Sequence, residues 1–392
     1  RPDPVGSSQL IARFIYTDCE ASGPFTVGVG KKFKSVAFPQ GLGAAASVES
    51  LRDRLPKNSL TDGFVLPKIP DSMTMAEFDA LPKSWAFAQI GPDTFAFERI
   101  ATAGKCYGRD NRFDEGFVFD SVSWPALASK FSQATKPVQL RPADFVHSTG
   151  WLHVRGELEL EAATLDDGFY ELEPNFREQL KSDIALVKRL PNLATLTRAF
   201  AHSQLNGEAV FVPKSQSADF FSIVGVLTRL TAPTFAWQTG FSDVWVKPRD
   251  KSYADGNNPH FLISDDHQPM PSALATAWGN LATEVFASGV PGKLMAKLDD
   301  LATNVFVVNP AKREQGLSLL PLAVLLTDSS ELAGKEHLIQ LAADLIEHIE
   351  LPQGWLGDAQ SRTLDNAQNA VYRSTPYSES IEAKLTNIGG AA

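Results

Sequence analysis

The chain has 392 residues, of which 43% are hydrophobic and 21% charged, and it carries a formal net charge of −10. This composition is typical of a globular protein and excludes a disordered, collagen-like or coiled-coil chain. The net negative charge opposes general binding to phosphate backbones or anionic lipid, so nucleic acid and membranes are not expected partners. The longest nearly apolar run, residues 317–326, is about half the roughly 20 residues that a membrane helix needs.

Cysteine usage points to a reducing compartment. The chain has two cysteines, Cys19 and Cys106, and neither belongs to a CxxC pair. Two isolated thiols do not build a disulfide framework of the kind that secreted domains use. We therefore expect a cytoplasmic protein.

The first 150 residues predict strands and turns. Apolar runs at residues 10–16 and 25–29 are typical of strands, and an Ala-rich stretch over 41–54 favours one helix. Residues 85–90 and 94–101 flank Gly91-Pro92-Asp93, which predicts a β-hairpin. Phe95 and Phe97 alternate with more polar neighbours, so we expect them on the buried face of a half-exposed sheet. A further short strand is predicted over 117–119.

The middle of the chain predicts a mixture of helices and strands. Residues 158–160 fit either a solvated strand or the start of a helix, whereas the apolar stripe over 175–190 predicts an amphipathic helix. A strand over 208–212, a helix over 218–230 and a strand over 234–238 suggest parallel strands with a right-handed crossover.

The last third predicts helices over 272–287, 293–307, 312–326 and 332–349, the last with the most regular apolar stripe. The predicted fold class is therefore α+β. It comprises a β-rich N-terminal domain with hairpins (1–150), a central α/β segment (151–268) and a helical C-terminal region (269–392).

No complete catalytic, metal-binding or cofactor motif emerges. Gly28 to Lys32 looks like a phosphate loop, but Phe25 and Lys32 stand where a P-loop needs Gly and Ser or Thr. The chain has no HExxH motif and no GxSxG motif, and Asp265-Asp266-His267 is typical of a solvated turn. We therefore expect no catalytic residue, no metal and no cofactor.

Two polar patches are candidate binding sites. Arg109, Asp110 and Arg112 follow the predicted hairpin in a segment that suits a turn, where guanidinium groups bind a carboxylate or phosphate bidentately. Arg141 and Asp144 precede Trp151 in a second turn fixed by proline. Each patch also fits a turn held by local hydrogen bonds, and that alternative stays open.

Three patches together resemble the N-terminal region of the bacterial GTPase-associated protein family. These are large proteins predicted to act beside a partner GTPase in nucleotide-dependent conflict (anti-phage) systems. The residues that carry the resemblance lie between about 11 and 165 and are Ile15 to Glu20 with Gly23 and Phe25, Tyr107 to Asp110 with Arg112, Gly116 and Phe119, and Arg141, Pro142, Asp144, Ser148, Trp151, Leu152 and Gly156.

The resemblance implies a non-enzymatic scaffold or adaptor that contacts a protein partner, with a GTPase as the first candidate. This chain has Phe117 after Gly116 and Asp120 after Phe119, where the family tends to show Gly-Asn and then Phe-Ala-His. That departure favours binding over catalysis. We expect Arg109 and Arg112 to anchor the contact, with Trp151 nearby.

Two other hypotheses stay open. The chain is alternatively an enzyme that binds an anionic small substrate between its N-terminal and middle domains, with Arg109, Asp110 and either Asp144 or His147 around the substrate. It is alternatively a structural subunit of a homo-oligomer. The sequence does not separate this last hypothesis from the adaptor hypothesis.

Overall fold

The chain forms two compact units, each built from three separate chain segments. The first unit combines Arg1–Lys136, Phe145–Asn175 and Gly240–Ile263, and the second combines Pro137–Asp144, Phe176–Thr239 and Ser264–Ala392. This interleaved division differs from the three continuous segments that the sequence predicts. The computed structural model describes residues 11–17, 26–27, 32–36, 64–91, 94–106, 109–120, 141–146, 148–149, 173–174, 176–244, 260–289, 294–298, 301, 313–327 and 331–350.

The fold class is α+β, as predicted. The strands in the described residues are β1 (Ile11–Thr17), β2 (Thr26–Val27), β3 (Lys32–Val36), β4 (Ser84–Gly91), β5 (Thr94–Cys106), β6 (Arg109–Asp120), β7 (Ser148–Thr149), β8 (Glu173–Pro174), β9 (Val210–Val212), β10 (Phe241–Ser242) and β11 (Phe261–Ile263). The α-helices are α1 (Met75–Asp79), α2 (Phe176–Val187), α3 (Leu193–Asn206), α4 (Phe220–Arg229), α5 (Pro233–Gln238), α6 (Ala273–Ala287), α7 (Leu319–Leu325) and α8 (Glu336–Glu347). Three 3-10 helices are Pro142–Phe145, Lys214–Asp219 and Arg313–Ser318.

A largely antiparallel sheet organises the first unit. Its strands are hydrogen-bonded in the order β2-β3-β1-β6-β5-β4-β10-β11, and only β10 and β11 run parallel to each other. Strands β7 and β8 form a separate antiparallel pair. The predicted strands over 10–16 and 117–119 are confirmed as β1 and as part of β6, and β2 occupies part of the strand predicted over 25–29.

The predicted hairpin is confirmed as β4 and β5, but residues on both of its faces are buried. Phe95 and Phe97 are buried, as the alternation predicts, yet Ala96 and Glu98 between and beside them are also 0% and 2% exposed. The prediction of a half-exposed sheet is therefore wrong. On one face Phe87 stacks on Phe95 with ring centroids 6.1 Å apart, and such aromatic pairs add to the energy of burial.

The second unit contains a helix in place of a predicted strand. Residues 234–238 belong to α5, not to a strand, so the predicted strand-helix-strand crossover is wrong. Pro233 occupies the first turn of α5, where its fixed φ angle favours a helix start and where no N–H is needed. The parallel pair that does occur, β10 with β11, was not predicted.

Helices α3 and α6 cross at very close range. A Cβ atom built on Gly279 would lie 2.7 Å from the backbone nitrogen of Arg198, so only glycine fits this approach. Thr197 Oγ1 donates to the carbonyl oxygen of Gly279 at 3.0 Å across the same crossing. The sequence predicted α2 and α6 but missed α3, which lies between them along the chain.

Helices also occur in the described part of the C-terminal region. Helix α6 begins after Ser272, whose Oγ accepts from the N–H of Ala275 and caps the first turn. Residues 294–298 are helical, residues 313–325 form a 3-10 helix followed by α7, and α8 lies within the predicted 332–349. The apolar side of α8 is buried, so it belongs to the core of this unit.

A side chain covers one edge of β9. The Gln268 amide binds both backbone groups of Phe211, because its Oε1 accepts from the Phe211 N–H at 3.0 Å and its Nε2 donates to the Phe211 carbonyl.

Several predicted features lie outside the described residues, namely the helix over 41–54, the segment 158–160, most of the turn at 28–32, His147 and Trp151.

Candidate functional site

The β5–β6 hairpin extends past both of its neighbouring strands. The last β4 residue in the ladder, Ser84, pairs with Ile100, and the last β1 residue, Thr17, pairs with Phe113. Beyond those points, β5 and β6 still pair with each other through Thr102↔Arg112, Gly104↔Asn111, Lys105↔Asp110 and Cys106↔Arg109. We call residues 102–106 and 109–112 the hairpin end.

Three of the predicted site residues lie in the hairpin end. Arg109, Asp110 and Arg112 begin β6, so the predicted turn at these residues is wrong and they continue a ladder instead. A register shift between Thr102 and Gly104 marks a bulge in β5 close to these residues. Bulges bend and twist a strand locally and are frequent next to functional sites. The structure therefore brings the three residues together, and their binding role stays a prediction.

Arg141, another predicted site residue, is fully buried in the second unit. Its Nε donates to the carbonyl oxygen of Thr228 at 3.3 Å, and its Nη2 donates to that of Thr231 at 3.4 Å. Thr228 lies in the last turn of α4 and Thr231 follows the helix end, where the last carbonyls have no intrahelical donor and the helix carries a partial negative charge. The guanidinium group thus caps α4 and stabilises the fold.

Asp144 completes this buried network. Its Oδ2 accepts from the Arg141 N–H at 2.6 Å and from Arg229 Nη2 at 2.6 Å. The side chains of Asp144 and Arg229 are 9% and 1% exposed, so water screens their ion pair very little. The carboxylate oxygen that the enzyme hypothesis assigns to a substrate is already bound by two donors.

A second carboxyl group, only partly buried, was not found by sequence reasoning. Asp243 directly follows β10, and its Oδ1 accepts from the Trp85 N–H of β4 at 3.1 Å. Burial raises the pKa of Asp243 to about 7, and hydrogen bonds from Trp85 and Ser84 oppose that rise. A polar residue after the two-residue strand Phe241-Ser242 gives no sign in the sequence that it is partly buried.

The raised pKa of Asp243 predicts a pH-dependent stability. The folded chain holds this proton up to about pH 7, whereas the unfolded carboxyl loses it near pH 4, so stability falls as pH rises between these values. We expect Asp243→Asn to remove about 2 kcal/mol of this fall between pH 5 and pH 7, because the amide keeps the Oδ1 acceptor without a charge. Urea denaturation at both pH values measures it. The exposed-site control Asp344→Asn should follow the wild type, and an unchanged pH dependence in Asp243→Asn would contradict the expectation.

A buried histidine joins α3 to α6. His202 Nδ1 accepts from the Ser272 N–H at 3.3 Å, and its Nε2 lies 3.4 Å from Glu208 Oε2. Asn206 Nδ2 lies 3.0 Å from the same Nδ1. An Nδ1 that accepts leaves the ring proton on Nε2, toward the carboxylate. His202 therefore links the C-terminal end of α3 to the N-terminal end of α6.

Within the described part of the chain, no group of three or more His, Cys, Asp or Glu residues is placed to hold a metal ion. Among the same residues, no helix has the length and apolar character needed to cross a membrane.

Comparisons with protein-family models, with curated proteins and with solved structures find no match for this chain. The family resemblance therefore depends on the short motifs quoted above.

Proposed function

We propose that this chain is a cytoplasmic, non-enzymatic adaptor that binds a protein partner, with a GTPase of a bacterial defence assembly as the first candidate. In this proposal the β-rich N-terminal part provides the contact and the helical C-terminal part supports the fold. The hairpin end is the observation that carries the proposal.

The hairpin end supports a contact role because it combines position and composition. Its four residue pairs lie beyond the ladders of β4 and β1, so among the described strands it has no neighbour on either side. Its backbone is held by cross-strand hydrogen bonds, which lowers the entropy that a contact element loses on binding. It also carries Arg109 and Arg112, and arginine is enriched among residues that dominate binding energy.

The other predicted contact elements are used inside the fold. The apolar stripe of α8, the most regular one in the sequence, is buried through residues such as Leu338, Ile339 and Ile346. Arg141 and Asp144 are committed to the buried network of α4. Because α8, Arg141 and Asp144 are used inside the fold, the hairpin end is the leading candidate for the contact surface.

A paired substitution tests the proposal. We expect Arg109→Ala with Arg112→Ala to reduce recovery of the partner at least tenfold, since tenfold corresponds to about 1.4 kcal/mol and each arginine is expected to supply a similar amount. The full chain is purified from its native host with GTP or GDP present, and the co-purifying proteins are quantified by mass spectrometry.

The matched control removes two positive charges elsewhere. Lys188 and Arg189 are exposed after the end of α2, so Lys188→Ala with Arg189→Ala should leave recovery unchanged. Recovery of the chain alone in both nucleotides would contradict the adaptor proposal. Recovery of the chain only as a multimer of itself would instead favour the structural homo-oligomer.

A further inference from the structure

We infer that Met270 and the prolines on either side of it form a second contact site, which fits an aromatic-lined groove with a basic rim on a partner protein. The site lies in the second unit and goes beyond the proposed adaptor function, since it involves neither the hairpin end nor a GTPase. An exposed apolar side chain, fixed segment ends and a restricted backbone occur together here.

Met270 is the most exposed large hydrophobic residue among those that the structure describes. It is 89% exposed, compared with 84% for Val65 and 51% for Met75. Single exposed apolar residues are common on protein surfaces, so exposure alone does not indicate a contact. Met270 differs from the other two in the way that the chain holds it.

Hydrogen bonds to neighbouring elements hold the chain on both sides of Met270. Before it, the Gln268 amide binds both backbone groups of Phe211 in β9. After it, the Ser272 N–H donates to His202 Nδ1 of α3 at 3.3 Å, and the Ser272 Oγ caps α6. Met270 is therefore the midpoint of a five-residue span, 268–272, whose two ends are fixed.

Prolines restrict the backbone of this span. Its sequence is Gln-Pro-Met-Pro-Ser. A proline ring fixes its own φ at about −65° and keeps the preceding residue out of the α region, so Gln268 and Met270 favour extended or polyproline II conformations. Residues 264–272 form neither helix nor strand, and Ser272 has φ −64° and ψ 167°. A span of this kind loses little conformational entropy when it binds a partner.

The composition of the span indicates an aromatic-lined groove as its complement. Proline-rich segments in the polyproline II conformation bind grooves lined by aromatic side chains, and a methionine sulfur makes favourable contacts with aromatic rings. Pro269 and Pro271 are both partly exposed, so a groove can contact their rings together with Met270. Covering these side chains also removes apolar surface from water.

The charges that precede the span indicate a basic rim. Asp265 and Asp266 are both exposed, and Lys214 Nζ lies 3.6 Å from Asp265 Oδ2 and compensates that carboxylate. Asp266 Oδ2 accepts from the neutral hydroxyl of Ser264 at 2.7 Å, and no described cation is paired with it. Asp266 is four residues from Met270, at most about 14 Å along an extended chain, so a basic group at the edge of the groove lies within its reach.

Site-specific photo-crosslinking in the native host tests the inference on the full chain. Met270 is replaced by p-benzoylphenylalanine, which on illumination inserts into C–H bonds of a contacting molecule, and the adduct is sequenced by mass spectrometry. We expect an adduct with one protein, at a peptide that contains aromatic residues with lysine or arginine beside them. Its yield should exceed that from the same replacement at Met75 by at least about tenfold.

Variants of the crosslinking chain separate backbone and charge from fold. Pro269→Ala with Pro271→Ala should lower the yield about tenfold, because the span is then less restricted before binding and two rings are lost. Asp266→Lys should lower the yield at least about threefold by repelling the basic rim, whereas Asp344→Lys, an exposed change on α8, should leave it unchanged. Circular dichroism verifies that each variant is folded.

Three outcomes would overturn the inference: an adduct no more abundant than that from Met75, an adduct with this chain itself, or an adduct at a peptide without aromatic residues. The hairpin-end variant Arg109→Ala with Arg112→Ala should form the Met270 adduct as the wild type does. The inference and the adaptor proposal therefore fail in different experiments.

Discussion

Replacing Asp144 with alanine is expected to lower the free energy of unfolding by about 3–5 kcal/mol. The substitution removes the carboxylate that accepts from Arg229 Nη2 and from the Arg141 N–H, both at 2.6 Å. Arg229 is 1% exposed, so its charge loses this partner without gaining access to water. Chemical denaturation followed by circular dichroism measures the change.

Two further variants identify the cause of that loss. Asp344→Ala removes an exposed carboxylate on α8 and should change stability by less than about 0.5 kcal/mol. Asp144→Ala combined with Arg229→Met should be more stable than Asp144→Ala alone, because it also removes the buried positive charge that Asp144 compensates. A loss below about 1 kcal/mol for Asp144→Ala would show that the network contributes little.

Replacing Trp278 with alanine is expected to cost about 3–5 kcal/mol, the usual cost of deleting a large buried aromatic side chain. Trp278 on α6 is 0% exposed, and its Nε1 donates to the carbonyl oxygen of Leu317 at 2.9 Å. The change leaves a cavity and an unpaired carbonyl together. Chemical denaturation of the full chain measures the loss.

Two comparison variants test this expectation. One leaves a smaller cavity at Trp278, and the other truncates an exposed side chain. Trp278→Phe keeps most of the ring beside Phe200, whose centroid is 5.9 Å away, so it should cost less than the alanine change. Met270→Ala truncates a side chain that is 89% exposed and should cost less than about 0.5 kcal/mol. Equal losses for Trp278→Ala and Met270→Ala would mean that this part of the core contributes little to stability.

Local patterns were enough to predict elements whose signal is contained within a few residues. The turn residues Gly91-Pro92-Asp93 predicted the hairpin, and the apolar stripe over 175–190 predicted α2. The 12 residues of β6 were predicted only in part. The reason is that Arg109, Asp110 and Arg112 resemble a polar turn when they are considered without their cross-strand partners.

The buried polar groups were beyond prediction because their partners are distant in sequence. Arg229 lies 85 residues from Asp144, and Asp243 lies 158 residues from Trp85. The prediction did identify Arg141 and Asp144 as notable, but as surface binders. Nothing in the local sequence shows that the end of α4 folds onto them. Helix α3 was missed because buried polar residues such as Thr197, His202 and Ser203 interrupt its apolar stripe.

The division of each unit into separate segments has a consequence for synthesis. A ribosome releases the chain from its N-terminus, so the first unit lacks β10 and β11 until residue 263 has been made. By then α2 to α5 of the second unit have already been released. The first unit is therefore still incomplete when part of the second has been made, so the nascent chain holds incomplete parts of both at once.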